Sequence, residues 1–285
     1  MIMQIGFNEA TTMKRSDLST DLRLTDQVGF EGIEIRIDQL QRYLESHRVE
    51  DLKHDFASRR IRPWTFNALE SATFRGAEGH RQLLADCRSV CEVGQVIGCD
   101  TIIVVPSNDV GDRTLAEIQR ETARVLRELG AIAENYGMRL AFEFIGYPNC
   151  SVNTFAQAYD IVQAVDAANI GLTVDCFHFH AMNSRLQDLQ MADARHIFMV
   201  HLDDCEPYPP GYLRDHHRLF PGLGVIDLAG ILTTLQAIGY DGPCSVETFR
   251  PEYWDADVKE TIQRAKDTAE ALMARVLGGA DGGKR

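Results

Sequence analysis

Short apolar runs rich in β-branched and aromatic residues alternate along this chain with longer stretches whose apolar positions recur every three or four residues. The first pattern is that of a strand covered on both faces, the second that of an amphipathic helix. Strands are expected at residues 2–8, 32–37, 62–67, 101–106, 139–144, 170–175, 197–202 and 243–248. Helices are expected over about 18–28, 49–60, 80–97, 112–136, 154–165, 184–192, 227–238 and 255–276. Gly29, Gly98 and Gly137 follow three of these helices, and Thr154 and Asp227 open two others. Eight strand–helix units in 285 residues predict an α/β fold of the (β/α)8 TIM-barrel type. The first strand leads into Asn8-Glu-Ala-Thr rather than a glycine-rich phosphate loop, which argues against an open doubly wound sheet. No break in composition divides the chain, so one domain is expected over residues 1–277, with 278–285 a frayed tail.

In such a barrel the active site lies at the C-terminal ends of the strands. Four consecutive expected strands end on a side chain that binds metals: Leu140-Ala-Phe-Glu143, Ile170-Gly-Leu-Thr-Val-Asp175, Ile197-Phe-Met-Val-His201 and Gly242-Pro-Cys-Ser-Val-Glu247. Taken singly, each reads equally well as a satisfied polar residue at a strand end. Together they place three carboxylates at one point, where they repel unless a cation lies between them. The added imidazole favours one divalent Zn or Mn ion, with Co also admissible and Mg a poorer match. Asp203 and Asp204 are candidates to orient His201 through its second nitrogen, or else solvated loop acids. Glu34, on the second strand beside Arg36, is a lesser candidate for the site, with a buried ion pair to Arg36 as the plainer expectation. Asn8 and Asn67 end the first and third strands, where an amide can donate to a hydroxyl. Arg250, Glu252, Tyr253 and Trp254 follow Glu247 and are placed to wall a pocket, although packing explains the two aromatics equally well. His180 reads as structural, and His216 and His217 as exposed loop residues.

A net charge of −13 speaks against a nucleic-acid partner and suits a small neutral or metal-chelating substrate. Seven cysteines without paired short spacings do not form a disulfide framework. The first residues lack a signal-peptide pattern, and no apolar run approaches the roughly 20 residues that span a bilayer. The expectation is a cytoplasmic protein without a membrane partner, with a homo-oligomer left open.

Further runs add a family resemblance: Phe7-Asn-Glu-Ala-Thr-Thr12, Ile33-Glu-Ile-Arg36, Asn67-Ala-Leu69, Val152-Asn-Thr-Phe155, Phe177-His-Phe-His-Ala-Met182 and Phe249-Arg-Pro-Glu-Tyr253. Over nearly its whole length the chain resembles the xylose isomerase-like TIM barrels, and within them the inosose isomerases. The resemblance implies that Glu143, Asp175, His201 and Glu247 are metal ligands, with Glu143 and Glu247 also the catalytic acid/base pair. Asp175-Cys-Phe-His178 matches the D-x-x-H pattern of the family, and Arg218-Leu-Phe-Pro-Gly-Leu-Gly224 its R-x-x-P-G-x-G loop. His178 and Arg218 are thereby implied to bind substrate, and Asn67, Arg250 and Glu252 join them as candidates. The implied reaction moves the carbonyl of 2-keto-myo-inositol to give 1-keto-D-chiro-inositol through a cis-enediolate. A ketose 3-epimerase or a hydroxypyruvate-type isomerase would use the same ligands. Further alternatives are an inosose dehydratase, a non-catalytic sugar-binding protein and a nuclease like endonuclease IV. The nuclease needs histidines where Asn67 and Pro106 stand.

Overall fold

The structure, a computed structural model, describes residues 3–278. Eight parallel strands form a closed barrel: β1 (Gln4–Asn8), β2 (Gly32–Arg36), β3 (Arg62–Leu69), β4 (Thr101–Val104), β5 (Arg139–Glu143), β6 (Ile170–Asp175), β7 (Ile197–Leu202) and β8 (Pro243–Val246). Each strand pairs with its neighbours in sequence, and β8 pairs with β1 to close the ring. The apolar runs form these strands because both faces are covered, by side chains inside the barrel and by helices outside. Phe7, Ile33, Phe66, Ile102, Phe142 and Val174 are all buried without residue.

The surrounding helices are α1 (Leu18–Val28), α2 (Ile37–Leu44), α3 (Val49–Ala57), α4 (Gly76–Ile97), α5 (Leu115–Glu134), α6 (Phe155–Val165), α7 (Cys176–Ala181), α8 (Leu186–Gln190), α9 (Leu228–Ala237), α10 (Pro251–Trp254) and α11 (Val258–Leu277). Gly29, in the left-handed region at φ 91°, ends α1 as expected. Thr154 and Asp227 cap α6 and α9 by accepting from the backbone N–H of Gln157 and Gly230. Of the expected tail, Gly278 ends α11; residues 279–285 lie outside the described residues, as does residue 2 of the expected first strand.

Three helices were not expected, α2, α7 and the single turn α10, and the first two matter to the barrel mouth. Arg36 ends β2 and opens α2, whose Ile37, Leu40 and Leu44 pack inward at helical spacing. Asp175 ends β6 and at once caps α7, its side chain accepting from His178 N at 2.6 Å. His178 therefore rides on the first turn of a helix, not on a continuing loop. A two-residue antiparallel ribbon, Asp204–Cys205 with Arg218–Leu219, folds the long loop after β7 back over the same end.

Glycine is required where β1 and β2 face Trp64. Gly6 and Gly32 are partners in register, and the Trp64 indole occupies the space that a Cβ would need at either. We expect Gly32→Ala to destabilise the fold by about 1–3 kcal/mol through overpacking. Thermal unfolding of the variant measures this, and an unchanged melting temperature would rule out the close packing.

Candidate metal centre

The ends of β5 to β8 converge on one point. Glu143 and Asp175 are the last residues of β5 and β6, His201 is the penultimate residue of β7, and Glu247 follows β8 directly. One donor atom from each lies within 4.8 Å of all the others. His201 Nδ1 stands 3.0 Å from Glu143 Oε1, 3.1 Å from Glu247 Oε2 and 3.5 Å from Asp175 Oδ2. All four residues are buried. In the protein without metal, a proton on Nδ1 thus sits where three carboxylate oxygens converge. This donor set of one imidazole and three carboxylates, gathered round a shared centre, fits a divalent Zn or Mn ion.

His201 is aimed by a residue for which the sequence favoured an ion pair with Arg36. His201 Nε2 donates to Glu34 Oε2 at 3.3 Å and lies 3.1 Å from Oε1. Glu34 is wholly buried and also accepts from Thr65 Oγ1 at 2.5 Å, Asn8 Nδ2 at 3.1 Å and Ser245 Oγ. Burial would raise its pKa, but the charge and hydrogen bond of His201, with those from Ser245 and Thr65, hold it below the usual value. The expected ion pair between Glu34 and Arg36 is absent; Arg36 Nε bonds Asp38 at 2.9 Å instead. Asp203 and Asp204 do not orient His201 either. Asp203 accepts from Phe177 N and pairs with Arg218, and Asp204 holds the loop at Gly224 and Ile226. Both are buried rather than solvated.

Arg218 is the second cation of the cluster. Its Nη1 meets Asp175 Oδ2 at 2.6 Å, Glu247 Oε2 at 3.3 Å and Asp203, and its Nε lies 3.3 Å from Asp215. Its Nη2 stands 3.1 Å from His178 Nε2. Burial, reinforced by the Arg218 charge against the pull of Asp175, lowers the pKa of His178. A neutral His178 accepts from Arg218 through Nε2, which leaves a buried Nδ1 donor without a partner. Glu247 is held firmly: Asn8 Nδ2 and Asn67 Nδ2 donate to its Oε1 at 2.9 and 3.0 Å. Oε2 of Glu143, in contrast, has no hydrogen bond among the described residues. Burial raises the pKa of Glu143 to about 7, with the charges of Glu247 and Asp175 adding to the rise and His201 opposing it.

The remaining candidates lie further out. Arg250 pairs with Glu206 at 3.1 Å and with the exposed Glu252 at 3.2 Å, so neither meets the four donors. Tyr253 stacks on Phe220 at 4.0 Å, and Trp254 donates to Ala10 O at 2.8 Å. His217 is buried against Tyr208, 4.4 Å between ring centres, rather than exposed as expected. His180 is half-buried at the end of α7.

Three comparisons bear on this geometry. A family model described as xylose isomerase-like TIM barrel matches residues 22–273. The inosose isomerase of Bacillus velezensis is 43% identical over 274 residues, 96% of this chain and 98% of that protein. The inosose isomerase of Bacillus subtilis is 41% identical, over 96% of this chain and 99% of that protein. A crystal structure of the IolI protein with a bound zinc atom superposes with a TM-score of 0.94 at 41% identity, covering 96% of this chain and 99% of that one.

Two outcomes are expected. In the metal-free protein Glu143 and Asp21 keep protons up to about 7, whereas unfolded they release them near 4.5 and 3.8. Burial is the main cause at both. The folded state then binds more protons than the unfolded, so stability falls as pH rises. The raised His201 adds to the loss, while His178, lowered, opposes it only below 6.5. Melting temperature without metal should therefore drop between pH 6.5 and 8, while zinc affinity rises as protons leave its ligands; a metal-free curve that climbs over that interval would overturn the proton assignment. Glu34→Gln should weaken zinc binding about 10- to 100-fold in a chelator competition by loosening His201. Wild-type affinity in that variant would remove Glu34 from the site.

Proposed function

This chain belongs to the xylose isomerase-like TIM barrel family, and on that footing we propose that it is an inosose isomerase. It would move the carbonyl of 2-keto-myo-inositol to the adjacent carbon, giving 1-keto-D-chiro-inositol. The observation that carries the proposal is the convergence of Glu143, Asp175, His201 and Glu247 within 4.8 Å, in a chain that aligns over almost its full length with inosose isomerases. These four residues would hold a zinc or manganese ion. When bound, that ion supplies a Lewis acid beside the substrate carbonyl and its neighbouring hydroxyl.

The residues of the chain then handle the proton. The C–H to be broken lies next to the carbonyl, so its loss gives a cis-enediolate. Glu143 takes this proton: its Oε2 has no hydrogen bond among the described residues, and its carboxyl is the one that burial brings near neutrality. Glu247, its Oε1 fixed by Asn8 and Asn67 and its Oε2 near Arg218, guards the opposite role. It passes a proton drawn from solvent to the former carbonyl carbon while the proton held by Glu143 leaves to solvent, and the proton of the reacting hydroxyl passes to the former carbonyl oxygen. His178 donates to a substrate oxygen through its unpartnered Nδ1. Arg218 balances Asp175, Asp203 and Glu247 and fixes His178 from behind. Asn67 closes the wall beside Glu247, and Arg250 and Glu252 act at the rim.

Residues 1–277 form one catalytic domain acting in the cytoplasm on a small molecule rather than a nucleic acid; no described helix is long and apolar enough to cross a membrane. The test is incubation of the zinc-loaded protein with 2-keto-myo-inositol in deuterated water. We expect 1-keto-D-chiro-inositol carrying solvent deuterium, and a loss of kcat of about 100- to 10,000-fold in Glu143→Gln and in Glu247→Gln. A Glu247→Gln protein that keeps zinc and full turnover would sink the assignment, and an inverted hydroxyl without carbonyl migration would make the protein an epimerase.

A further inference from the structure

The four donors are nearly closed off: Asp175 and His201 are fully buried, and Glu143 and Glu247 are 3% exposed. Asn67 links them to open space. Its Nδ2 donates to Glu247, and it lines a cavity of about 520 Å3 between α2 and α4 whose walls include Arg36, Ile37, Leu40, Leu83 and Val90. That volume is the size of a small-molecule pocket. The cavity stops one side chain short of Glu247.

Arg36 is the partner in register of Asn67 at the mouth of this cavity. It is held in several ways. Its backbone N–H donates to the buried Glu9 at 2.8 Å, and its Nε bonds Asp38 at 2.9 Å. Its guanidinium carbon lies 6.0 Å from the centre of the Phe249 ring, whose centre is also 5.3 Å from that of Arg218. The side chain is only 13% exposed, yet Nη1 and Nη2 have no hydrogen-bond partner among the described residues. These nitrogens are not sealed from solvent, so they are free to donate to a molecule that enters the cavity. The charges around Arg36 restrict what that molecule is. The cavity sets Arg36 and Arg75 against Asp38, Glu70 and Asp86, an excess of negative charge that repels phosphate and carboxylate.

We infer that Arg36 is a specificity-determining residue, whose Nη donors hold hydroxyls of an uncharged, unphosphorylated polyol ring at carbons remote from the reacting pair. This rests on the isomerase reading and narrows its substrate class. Arg36→Met keeps the stem and removes the donors, and Arg36→Lys restores one. Calorimetry of the zinc-loaded proteins with myo-inositol, which lacks the reacting carbonyl, reads binding alone, and steady-state kinetics with 2-keto-myo-inositol separate KM from kcat.

In Arg36→Met we expect Kd and KM to rise about tenfold or more with kcat nearly unchanged. Arg36→Lys should recover part of both, with zinc content equal in all three. A hexose 6-phosphate should fail to compete with myo-inositol for the wild type. Unchanged Kd and KM in Arg36→Met, a fall in kcat alone, or effective competition by the phosphate would each overturn the inference. A wild type that binds myo-inositol through Arg36 but leaves 2-keto-myo-inositol unreacted would refute the isomerase reading and leave Arg36 its role.

Discussion

Crowding of like charge is the constraint around which the barrel mouth is built. Glu34, Glu143, Asp175, Asp203 and Glu247 are all buried, and the cationic partners inside the cluster are His201 and Arg218. Two like charges about 4 Å apart repel by about 4 kcal/mol even at a generous effective dielectric. The cluster survives because each carboxylate shares a cation or a hydrogen-bond donor with its neighbour. A divalent ion at the shared centre, taking the place of the proton on His201 Nδ1, reduces the excess of negative charge. Burial, with this crowding added, lifts Glu143 towards neutrality, while the Arg218 charge drives Asp175 far below the usual carboxylate range despite its burial.

Many of the side chains that orient these groups come from the opposite side of the barrel. Asn8, Glu34, Thr65 and Asn67 lie on β1, β2 and β3, whereas the four converging donor residues lie on or just after β5 to β8. Closure of the sheet, with β8 against β1, lets Asn8 reach Glu247 across 239 positions of sequence. Half of the ring presents the reactive groups and the other half fixes their orientation. This division gives the first three strands a functional reason to carry buried polar residues at their ends.

Much of this was legible in the chain. Apolar runs each ending on Glu, Asp, His or Glu can be seen without coordinates, because a parallel strand has no polar face to blur the signal. The helices α2 and α7 were missed for different reasons. Ile37, Leu40 and Leu44 do carry the helical spacing, but the run starts inside what reads as a strand. At α7 the cue is a single capping side chain, Asp175, which also looks like an ordinary strand end. Glu34 escaped because Arg36 stands two residues away on the same face of an extended strand. The chain turns into α2 at Arg36 and parts the pair. Asp203 and Asp204 misled for the converse reason, since closeness to His201 in sequence says nothing of the direction a side chain takes after the strand ends.

Asp175 has a double attachment that restricts its replacement. One carboxylate oxygen holds the first turn of α7, and the other faces Arg218 and His201. The side chain is just long enough to be shared between a backbone amide and the charged cluster. A glutamate would carry the same charge but stand one methylene further out, so it could serve the cluster or the helix, not both. Since α7 bears His178, whatever shifts this carboxylate also shifts the imidazole that faces Arg218. The aspartate works as a hinge pin: occupancy of the cradle and the stance of the helix above it are one mechanical variable.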